Sequence, residues 1–366
     1  MNVAIDAHMI GDHSGGNESY YTNIIKAMNP HIGDKYFLFV SKNIDTTQYK
    51  NKFEVVQFES DSAFKRNFIE LNRLCKKFNI DVLHTQYFIP FFRSCNVVCT
   101  IHDICFEHYK DIFTKKEYVT QKILIPYAAK KSKCIFTVSE NAKEDIISTY
   151  RLNPQKVIVT YNAVNEIYRR LSENEIDRER LNQKYGIDEE YILTVGNLQP
   201  RKNLPRLIKA YTKYKRAGGK EKLVIVGKKT RMTSEIFKEI SNSEFKDNII
   251  LTDYVENEDL VQIYNAAKGF VYPSYFEGFG IPPLEAMACG TPVAVANTTS
   301  LPEVVGDVGI YFNPFDENDI LKALEQLISL VEEKRVNFDA MQEQVNKFSW
   351  SKSAKILVDS YSTLNE

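Results

Sequence analysis

Residues 275–290 read YFEGFGIPPLEAMACG, and this segment decides how the chain is interpreted. It places two carboxylates, Glu277 and Glu285, eight residues apart, with a Gly-Phe-Gly turn and two prolines between them. Prolines lack a backbone N–H and hold φ fixed, so they suit the first turn of a helix. The segment therefore predicts a helix that begins near Ile281, with Glu277 on the preceding loop and Glu285 about one turn inside.

The chemistry of this turn suits a polyhydroxylated ligand. Carboxylates accept hydrogen bonds from hydroxyls, amides at a helix N-terminus donate them, and glycines let the backbone approach a ligand closely. A purely structural alternative stays open at this point. In that alternative Glu277 caps the helix, and Glu285 is a solvated acid in the first helical turn.

The segment resembles the Glu-x7-Glu signature of the retaining nucleotide-sugar glycosyltransferases of family 4. The resemblance continues through TPVAV at residues 291–295 and LPEVVG at residues 301–306. It implies an α/β fold of the GT-B type, with two doubly wound, Rossmann-like domains that face each other across a cleft. It also implies that donor-sugar hydroxyls bind Glu277 and the turn of Gly278, Phe279 and Gly280, and that Glu285 binds the ribose hydroxyls.

Composition is that of a soluble globular protein. The chain has 366 residues, 43% hydrophobic and 26% charged, which predicts two domains. A net charge of −1 argues against wholesale nucleic-acid binding. The chain shows neither a long apolar run nor a signal-peptide pattern, so we expect a cytoplasmic protein. Its six cysteines form no CxxC motif, so we expect their thiols to be reduced.

Short apolar strand patterns alternate with amphipathic helical stretches along the whole chain, which predicts parallel sheets covered on both faces. We predict an N-terminal domain at residues 1–165, a linker at 166–189 and a nucleotide-sugar-binding domain at 190–346. The resemblance implies that a final helix, residues 347–366, crosses back to the N-terminal domain. The predicted strands are residues 2–6, 36–40, 54–58, 82–85, 96–101, 134–138, 157–160, 191–195, 222–226, 249–251, 269–271, 292–296 and 309–312.

The segment GNLQPRKNL at residues 196–204 carries Arg201 and Lys202 at the mouth of a helix that Asn203 is expected to cap. Cations at a helix N-terminus oppose the macrodipole, so an anionic ligand explains them better than a surface pair does, although the surface pair stays open. The segment is similar to a family motif whose Arg and Lys bind the donor diphosphate, and Asn197 belongs to it.

Four further residues complete the predicted site. Gly15 and Gly16 precede a helix and offer bare amides, although no GxGxxG dinucleotide motif is present. The resemblance implies that this glycine loop covers the donor phosphates and borders the acceptor site. It also implies that His102 touches the donor sugar, the alternative being an ordinary polar loop residue. Val255 is expected to offer backbone contacts to the base.

No His, Cys or Asp pattern has metal-ligand spacing, so we predict neither metal nor cofactor, with a GDP- or UDP-linked sugar as substrate. Residues 110–133 combine seven lysines with interleaved apolar residues. This stretch is either a helix at the anionic inner face of a membrane or a solvated helix with a core face. The membrane alternative implies a lipid-linked saccharide acceptor.

These observations predict a retaining hexosyltransferase for mannose or glucose, working in surface polysaccharide or glycolipid assembly. The expected catalytic residues are Arg201, Lys202, Glu277 and His102. Three alternatives stay open: a GT-B nucleotide-sugar epimerase, a phosphorylase and a non-catalytic sugar-nucleotide-binding module.

Overall fold

The structure is a computed structural model that describes residues 1–11, 16–230 and 233–364. The chain forms two compact units. The first comprises Met1–Asn162 together with Ser349–Glu366, and the second comprises Ala163–Phe348. The segment expected to be a linker lies in the second unit and contains the helix Arg178–Tyr185.

The first unit is built on a parallel sheet in which the described residues supply seven strands in the order β3-β2-β1-β4-β5-β6-β7. Most of these strands are apolar and buried along nearly their whole length, as a sheet covered on both faces requires. The strands are β1 Asn2–Asp6, β2 Lys35–Val40, β3 Glu54–Gln57, β4 Val82–Gln86, β5 Asn96–Thr100, β6 Ile135–Thr137 and β7 Val157–Val159.

Helices connect these strands. Helix α5 begins with a capping box, in which Thr114 accepts from the amide of Glu117 and Glu117 accepts from the amide of Thr114. A π-helical turn, Arg66–Glu70, joins α2 to α3. The helices of this part of the chain are α1 Gly16–Ala27, α2 Ala63–Lys65, α3 Leu71–Lys77, α4 Cys105–His108, α5 Lys115–Lys131 and α6 Glu140–Tyr150.

The second unit repeats the plan with a parallel sheet for which the described residues supply six strands in the order β10-β9-β8-β11-β12-β13. The strands are β8 Tyr191–Val195, β9 Lys222–Val226, β10 Ile249–Asp253, β11 Gly269–Tyr272, β12 Val293–Ala296 and β13 Ile310–Phe312. The helices are α7 Arg178–Tyr185, α8 Leu204–Arg216, α9 Ser234–Asn242, α10 Asn257–Ala266, α11 Ile281–Ala288, α12 Leu301–Val305, α13 Glu317–Glu332 and α14 Phe338–Asn346.

The last helix, α15 Trp350–Ser362, packs against α1 in the first unit. Ser349 caps it, since its side chain accepts from the amide of Lys352. The buried Tyr361 hydroxyl lies 2.6 Å from Nδ1 of His84 on β4, and the other ring nitrogen of His84 lies 2.7 Å from Thr100 Oγ1. These buried polar contacts hold α15 against the sheet in one register.

Strand order locates the ligand-binding edge of each sheet. In doubly wound sheets ligands bind beyond the carboxyl ends of the strands, where the strand order reverses. In the second unit this reversal lies at β8, because β9 is on one side of it and β11 on the other. The loops after β8 and β11 therefore share one edge, and they carry the residues described next.

Candidate functional site

Two loops form the centre of the site in the second unit. Arg201 and Lys202 lie in the 3-10 turn Pro200–Lys202 after β8, and Glu277 lies between β11 and α11. Since β8 and β11 pair directly, their carboxyl ends bring together residues that are 75 positions apart in the chain. The sequence predicted these three residues as catalytic, and the structure places them in contact.

Glu277 bridges both cations. Its Oε2 accepts a 2.5 Å hydrogen bond from Arg201 Nη1, and its Oε1 accepts one of 2.6 Å from Lys202 Nζ. Lys202 is only 8% exposed and Glu277 only 7%, so the pair is buried. Two of the structural alternatives are therefore wrong: Lys202 is not a surface lysine, and the Glu277 side chain binds cations instead of capping α11, whose N-cap is Gly280.

Hydroxyl groups complete the shell around Glu277. Ser274 Oγ donates to Glu277 Oε1 at 2.5 Å, and Tyr272 OH donates to the same oxygen at 3.0 Å. Lys202 Nζ also donates to the Tyr272 hydroxyl. Sequence analysis missed Tyr272 and Ser274, because a tyrosine at the end of an apolar strand looks like a core residue. Their position just before the Glu277 turn was the available signal.

Charge at this centre favours an anion. Burial by itself would raise the pKa of Glu277, but Arg201 and Lys202 outweigh it and lower the pKa to about 2. Glu277 is therefore a carboxylate at neutral pH, and it meets two basic side chains. The Arg201 side chain is 24% exposed, so one of the two cations reaches the surface.

The turn that begins α11 is held by Ser300. Its hydroxyl donates to the carbonyl oxygens of Glu277 at 3.0 Å and Phe279 at 2.7 Å. Gly280, at φ 109°, occupies the left-handed region that favours glycine. The helix starts at Ile281, which confirms the prediction from the two prolines. Gly278 lies in the same turn.

Glu285 forms a separate hydrogen-bond cluster within α11. It is partly buried and accepts a 2.9 Å hydrogen bond from Tyr264 OH. Burial raises the pKa of Glu285 to about 7, although hydrogen bonds from Tyr264 and Tyr168 act in the opposite direction. The alternative of a solvated acid is therefore wrong. The ionised carboxylate accepts hydrogen bonds from hydroxyls more strongly than the protonated acid, which carries one O–H donor.

Loops after β8 and β9 pack backbone to backbone. A Cβ added at Gly227 would lie 2.0 Å from the carbonyl oxygen of Gly196, so only glycine fits there. Asn197 follows in the same loop, and its carbonyl accepts from the amide of Gln199 at 2.7 Å.

Asn203, expected to cap α8, occupies the N-cap position, but its side chain makes no capping hydrogen bond. Its amide group instead donates to the carbonyls of Pro273 at 3.1 Å and Pro314 at 2.7 Å.

The position expected to meet the base follows β10. Val255 is buried, whereas its neighbour Tyr254 is 49% exposed. Lys228, in the loop after β9, places its Nζ 5.5 Å from the centre of the Tyr254 ring. An exposed aromatic ring beside a lysine at the carboxyl edge of a parallel sheet is a surface on which a flat heterocycle can stack.

The remaining predicted residues belong to the first unit. Gly16 is the first residue of α1, whereas Gly15 lies outside the described residues. His102 is buried after β5, where Gln86 Nε2 donates to its Nε2 and the Tyr20 ring lies 4.7 Å away. Burial lowers the pKa of His102 to about 3, so its ring is neutral at physiological pH. It is therefore a buried, hydrogen-bonded residue of the loop after β5.

Among residues 1–11, 16–230 and 233–364, no three His, Cys, Asp or Glu side chains converge as a metal site would require. The buried centre of the second unit offers instead two basic side chains, one carboxylate and several hydroxyls.

Family comparisons cover both units. The model described as Glycosyl transferases group 1 matches residues 177–344, and the model described as Glycosyltransferase Family 4 matches residues 15–166. The O-antigen chain mannosyltransferase RfbU of Salmonella typhimurium is 33% identical over 278 residues, which are 73% of this chain and 72% of RfbU. The serotype-specific mannosyltransferase WbdA of Escherichia coli is 29% identical over 277 residues, or 73% of this chain. The matched region is 33% of the length of WbdA, so the chain spans about a third of that relative.

Solved structures agree on the fold. Sucrose-phosphate synthase from Thermosynechococcus elongatus superposes with a TM-score of 0.78 at 17% identity, over 100% of this chain and 99% of that one. The two parallel sheets with covering helices are those of GT-B proteins, which confirms the predicted fold class. With RfbU above 30% identity over most of both chains, this chain belongs to the glycosyltransferases of group 1 and family 4.

Proposed function

We propose that the protein is a retaining, metal-independent hexosyltransferase. It transfers mannose or glucose from a GDP- or UDP-linked donor to a saccharide hydroxyl in surface polysaccharide or glycolipid assembly. One observation carries this proposal: Arg201 and Lys202 converge on the buried carboxylate of Glu277, so two cations meet at the carboxyl edge of the sheet. The mannosyltransferase names of RfbU and WbdA support mannose as the first sugar to test.

The cations are positioned before any ligand arrives. Arg201 Nε donates to Gln199 Oε1 at 3.1 Å, and Arg201 Nη1 donates to the Phe276 carbonyl at 3.0 Å. Lys202 is held by Glu277 and Tyr272. Groups fixed in this way stabilise the charge that develops on a departing diphosphate without reorganising. One such hydrogen-bond donor typically stabilises the transition state by about 2.7–4 kcal/mol.

Glu277 has the properties of a ligand-binding carboxylate rather than of a nucleophile. Two cations and two hydroxyls already bind it, and its pKa of about 2 makes it a weak base. We therefore favour attack on the front face of the donor sugar. In this step the bond between C1 and the diphosphate oxygen breaks, and the acceptor oxygen bonds to C1 on the same face. The acceptor proton passes to the departing diphosphate.

The family resemblance supports the contacts that we propose for the donor's other groups. Sugar hydroxyls would bind Glu277 and the backbone of Phe279 and Gly280, and ribose hydroxyls would bind Glu285. His102, neutral in the first unit, would donate or accept a hydrogen bond and would not neutralise phosphate. We also propose that Gly15 and Gly16 contact the donor phosphates, as the resemblance implies.

The acceptor is proposed to be a lipid-linked saccharide at the cytoplasmic, anionic face of a membrane. Lys115, Lys116 and Lys130 of α5 are exposed, which supports this half of the proposal. In the part of the chain that the structure describes, helices capable of crossing a bilayer are absent.

Nucleotide binding and donor turnover test the function together. UDP, GDP, UDP-glucose and GDP-mannose are first compared for the rise in melting temperature that each causes, since a true donor stabilises the folded state. The stabilising sugar nucleotide is then incubated with enzyme, and release of nucleotide diphosphate is measured for wild type and Lys202→Met. Lys209→Met, an exposed lysine on α8, is the matched control.

Slow release of nucleotide diphosphate by wild type and Lys209→Met, but not by Lys202→Met, is the expected result. Recovery of an isomerised donor would identify an epimerase instead. Binding without turnover in the presence of every sugar acceptor would identify a binding module.

A further inference from the structure

The solvent face of α5 is apolar at its centre. Ile125, Ala128 and Ala129 turn towards the core of the first unit. With 3.6 residues per turn, Val119 and Ile123 lie on the opposite side of the helix. Tyr127, one turn after Ile123, is half-buried and packs at the edge of that core. Val119 is 53% exposed and Ile123 is 61% exposed. A helix that merely covers a core would carry polar residues there.

This apolar stripe continues beyond the helix. The Tyr127 ring lies 5.0 Å from that of Phe91, and Phe91 stacks on Phe68 at 4.8 Å with an interplanar angle of 14°. Phe68 in turn lies 5.0 Å from Phe64. Ring centres at these separations are in contact. The aromatic residues of α2, of the π-turn, of the loop before β5 and of α5 therefore form one surface.

We call this surface the aromatic face and define it by Phe64, Phe68, Phe91, Phe92, Ile123 and Tyr127. Phe64 is 67% exposed and Phe92 is 76% exposed. Contiguous exposed apolar patches are uncommon on monomeric soluble proteins and mark binding surfaces. The stacked rings give this patch a defined shape, so its exposure is a feature of the fold and not of a loose segment.

Basic side chains surround the aromatic face. Lys115 and Lys116 lie one turn before Val119, and Lys130 lies one turn after Tyr127. Lys65 adjoins Phe64 in the chain. Arg93 donates to the Tyr127 hydroxyl at 3.2 Å, with its guanidinium 5.7 Å from the centre of that ring. The acid within this turn of α5, Glu117, is engaged in the capping box with Thr114.

We propose that the aromatic face is a membrane-docking surface that inserts its phenylalanines into the boundary between headgroups and acyl chains of an anionic bilayer. Apolar residues ringed by lysine and arginine are the pattern of interfacial membrane binding. A second copy of this chain fits the aromatic face less well, because the basic residues around the two faces would repel each other. The inference rests on the proposed function in one respect: docking would give the enzyme access to a lipid-linked acceptor.

Vesicle sedimentation of the full chain tests the surface. The probes are phosphatidylcholine vesicles with or without roughly one third phosphatidylglycerol. Wild type is expected to bind the anionic vesicles, and to bind them less as salt is raised. The double variant Phe92→Ser/Ile123→Ser should lower the partition coefficient about tenfold or more. Its control, Ile32→Ser/Ile167→Ser, removes two exposed isoleucines elsewhere and should leave partitioning unchanged.

A charge variant keeps the proposal testable should the apolar variant fail to fold. Lys115→Gln/Lys116→Gln/Lys130→Gln should also weaken binding to anionic vesicles about tenfold or more. Its control, Lys42→Gln/Lys50→Gln/Lys238→Gln, removes the same charge from other exposed sites and should bind as wild type does.

Several results would overturn the assignment. These are failure of wild type to bind anionic vesicles, equal losses in test and control variants, or light scattering that shows a dimer which Phe92→Ser/Ile123→Ser converts to a monomer. Nucleotide-induced stabilisation, measured without vesicles, reports the donor site separately. Failure of the wild type to bind anionic vesicles, with an intact nucleotide response, therefore refutes docking alone. Vesicle binding by a wild type that no nucleotide stabilises refutes the proposed function alone.

Discussion

Lys202 Nζ lies 2.6 Å from Glu277 Oε1, and both side chains are buried in the second unit. Charges taken out of water in this way are tolerated only when they are paired and hydrogen-bonded. Arg201, Tyr272 and Ser274 supply the additional hydrogen bonds. The centre that we propose to bind a diphosphate is thus also part of the folded core, so its substitutions affect activity and stability together.

Replacement of Lys202 by methionine should therefore have two effects. Donor turnover should fall about a hundredfold or more, as is typical when a preorganised electrostatic donor is removed. The free energy of unfolding should fall by up to about 3 kcal/mol, because Glu277 keeps Arg201 but loses one of its two cations. Steady-state kinetics and urea unfolding measure the two effects. Full activity in a destabilised Lys202→Met protein would show that the cluster is only structural.

Glu285 should make stability depend on pH. Its folded-state pKa is raised, so the proton it retains favours the folded state fully below the ordinary value of 4.5. This contribution declines as pH rises from 4.5 to about 7 and is absent above that pH. Glu285→Gln should flatten the corresponding part of the stability curve measured by urea unfolding between pH 5 and 8. An unchanged slope in the variant would assign the pH dependence to another group.

Donor affinity should change in the opposite sense at the same residue. The ionised carboxylate of Glu285 would accept hydrogen bonds from ribose hydroxyls more strongly than the protonated acid, so the donor KM should fall as pH rises through about 7. In Glu285→Gln the KM should be higher and independent of pH over this range. A parallel pH profile in both proteins would exclude Glu285 from nucleotide binding.

Gly227→Ala should disrupt the loops after β8 and β9. The added methyl group would lie 2.0 Å from the carbonyl oxygen of Gly196, and backbone cannot yield as a flexible side chain can. We expect a loss of at least about 2 kcal/mol in the free energy of unfolding. The control is Gly218→Ala, also at positive φ but with open space around its Cβ position, which should cost roughly 1 kcal/mol. Similar losses in the free energy of unfolding for both variants would mean that positive φ, and not the clash with Gly196, causes the destabilisation.

Tyr361→Phe tests how α15 is held in the first unit. The substitution removes the hydroxyl that lies 2.6 Å from Nδ1 of the buried His84 and leaves that nitrogen without this partner. The expected cost is about 1–3 kcal/mol in urea unfolding. Tyr254→Phe, which alters an exposed tyrosine, should change stability by less than about 0.5 kcal/mol. Equal stability of Tyr361→Phe and wild type would mean that packing alone secures α15.

Local sequence patterns predicted the positions of the strands well. All of the strands predicted from apolar runs are present in the described residues, and β8 and β9 match their predicted ranges residue for residue. The prolines of residues 275–290 located the start of α11. Helices α7, α9 and α14 were not predicted, because they are short and largely polar outside a few buried positions. Helices α2 and α4, of three and four residues, were also not predicted. The π-turn Arg66–Glu70 has no recognisable signal in the sequence.

The contacts and burial of individual side chains were harder to predict than the positions of the strands and helices. Arg201, Lys202 and Glu277 were identified by motif, but their mutual contact depends on the pairing of β8 with β11. Asn203 was predicted to cap α8, yet its side chain donates to two backbone carbonyls brought close by other loops. The aromatic face joins residues from three segments, so neither its continuity nor its exposure was visible in any one of them.

The sequence alone determined the strands, most of the helices and the residue types at the predicted site, because periodicity and turn chemistry act over a few neighbouring residues. Tertiary structure decided which of these residues meet, which are buried and which charges are compensated. Burial and pairing depend on strand order across distant segments, so the depressed pKa of Glu277, the raised pKa of Glu285 and the exposed rings beside α5 emerge only in the folded chain.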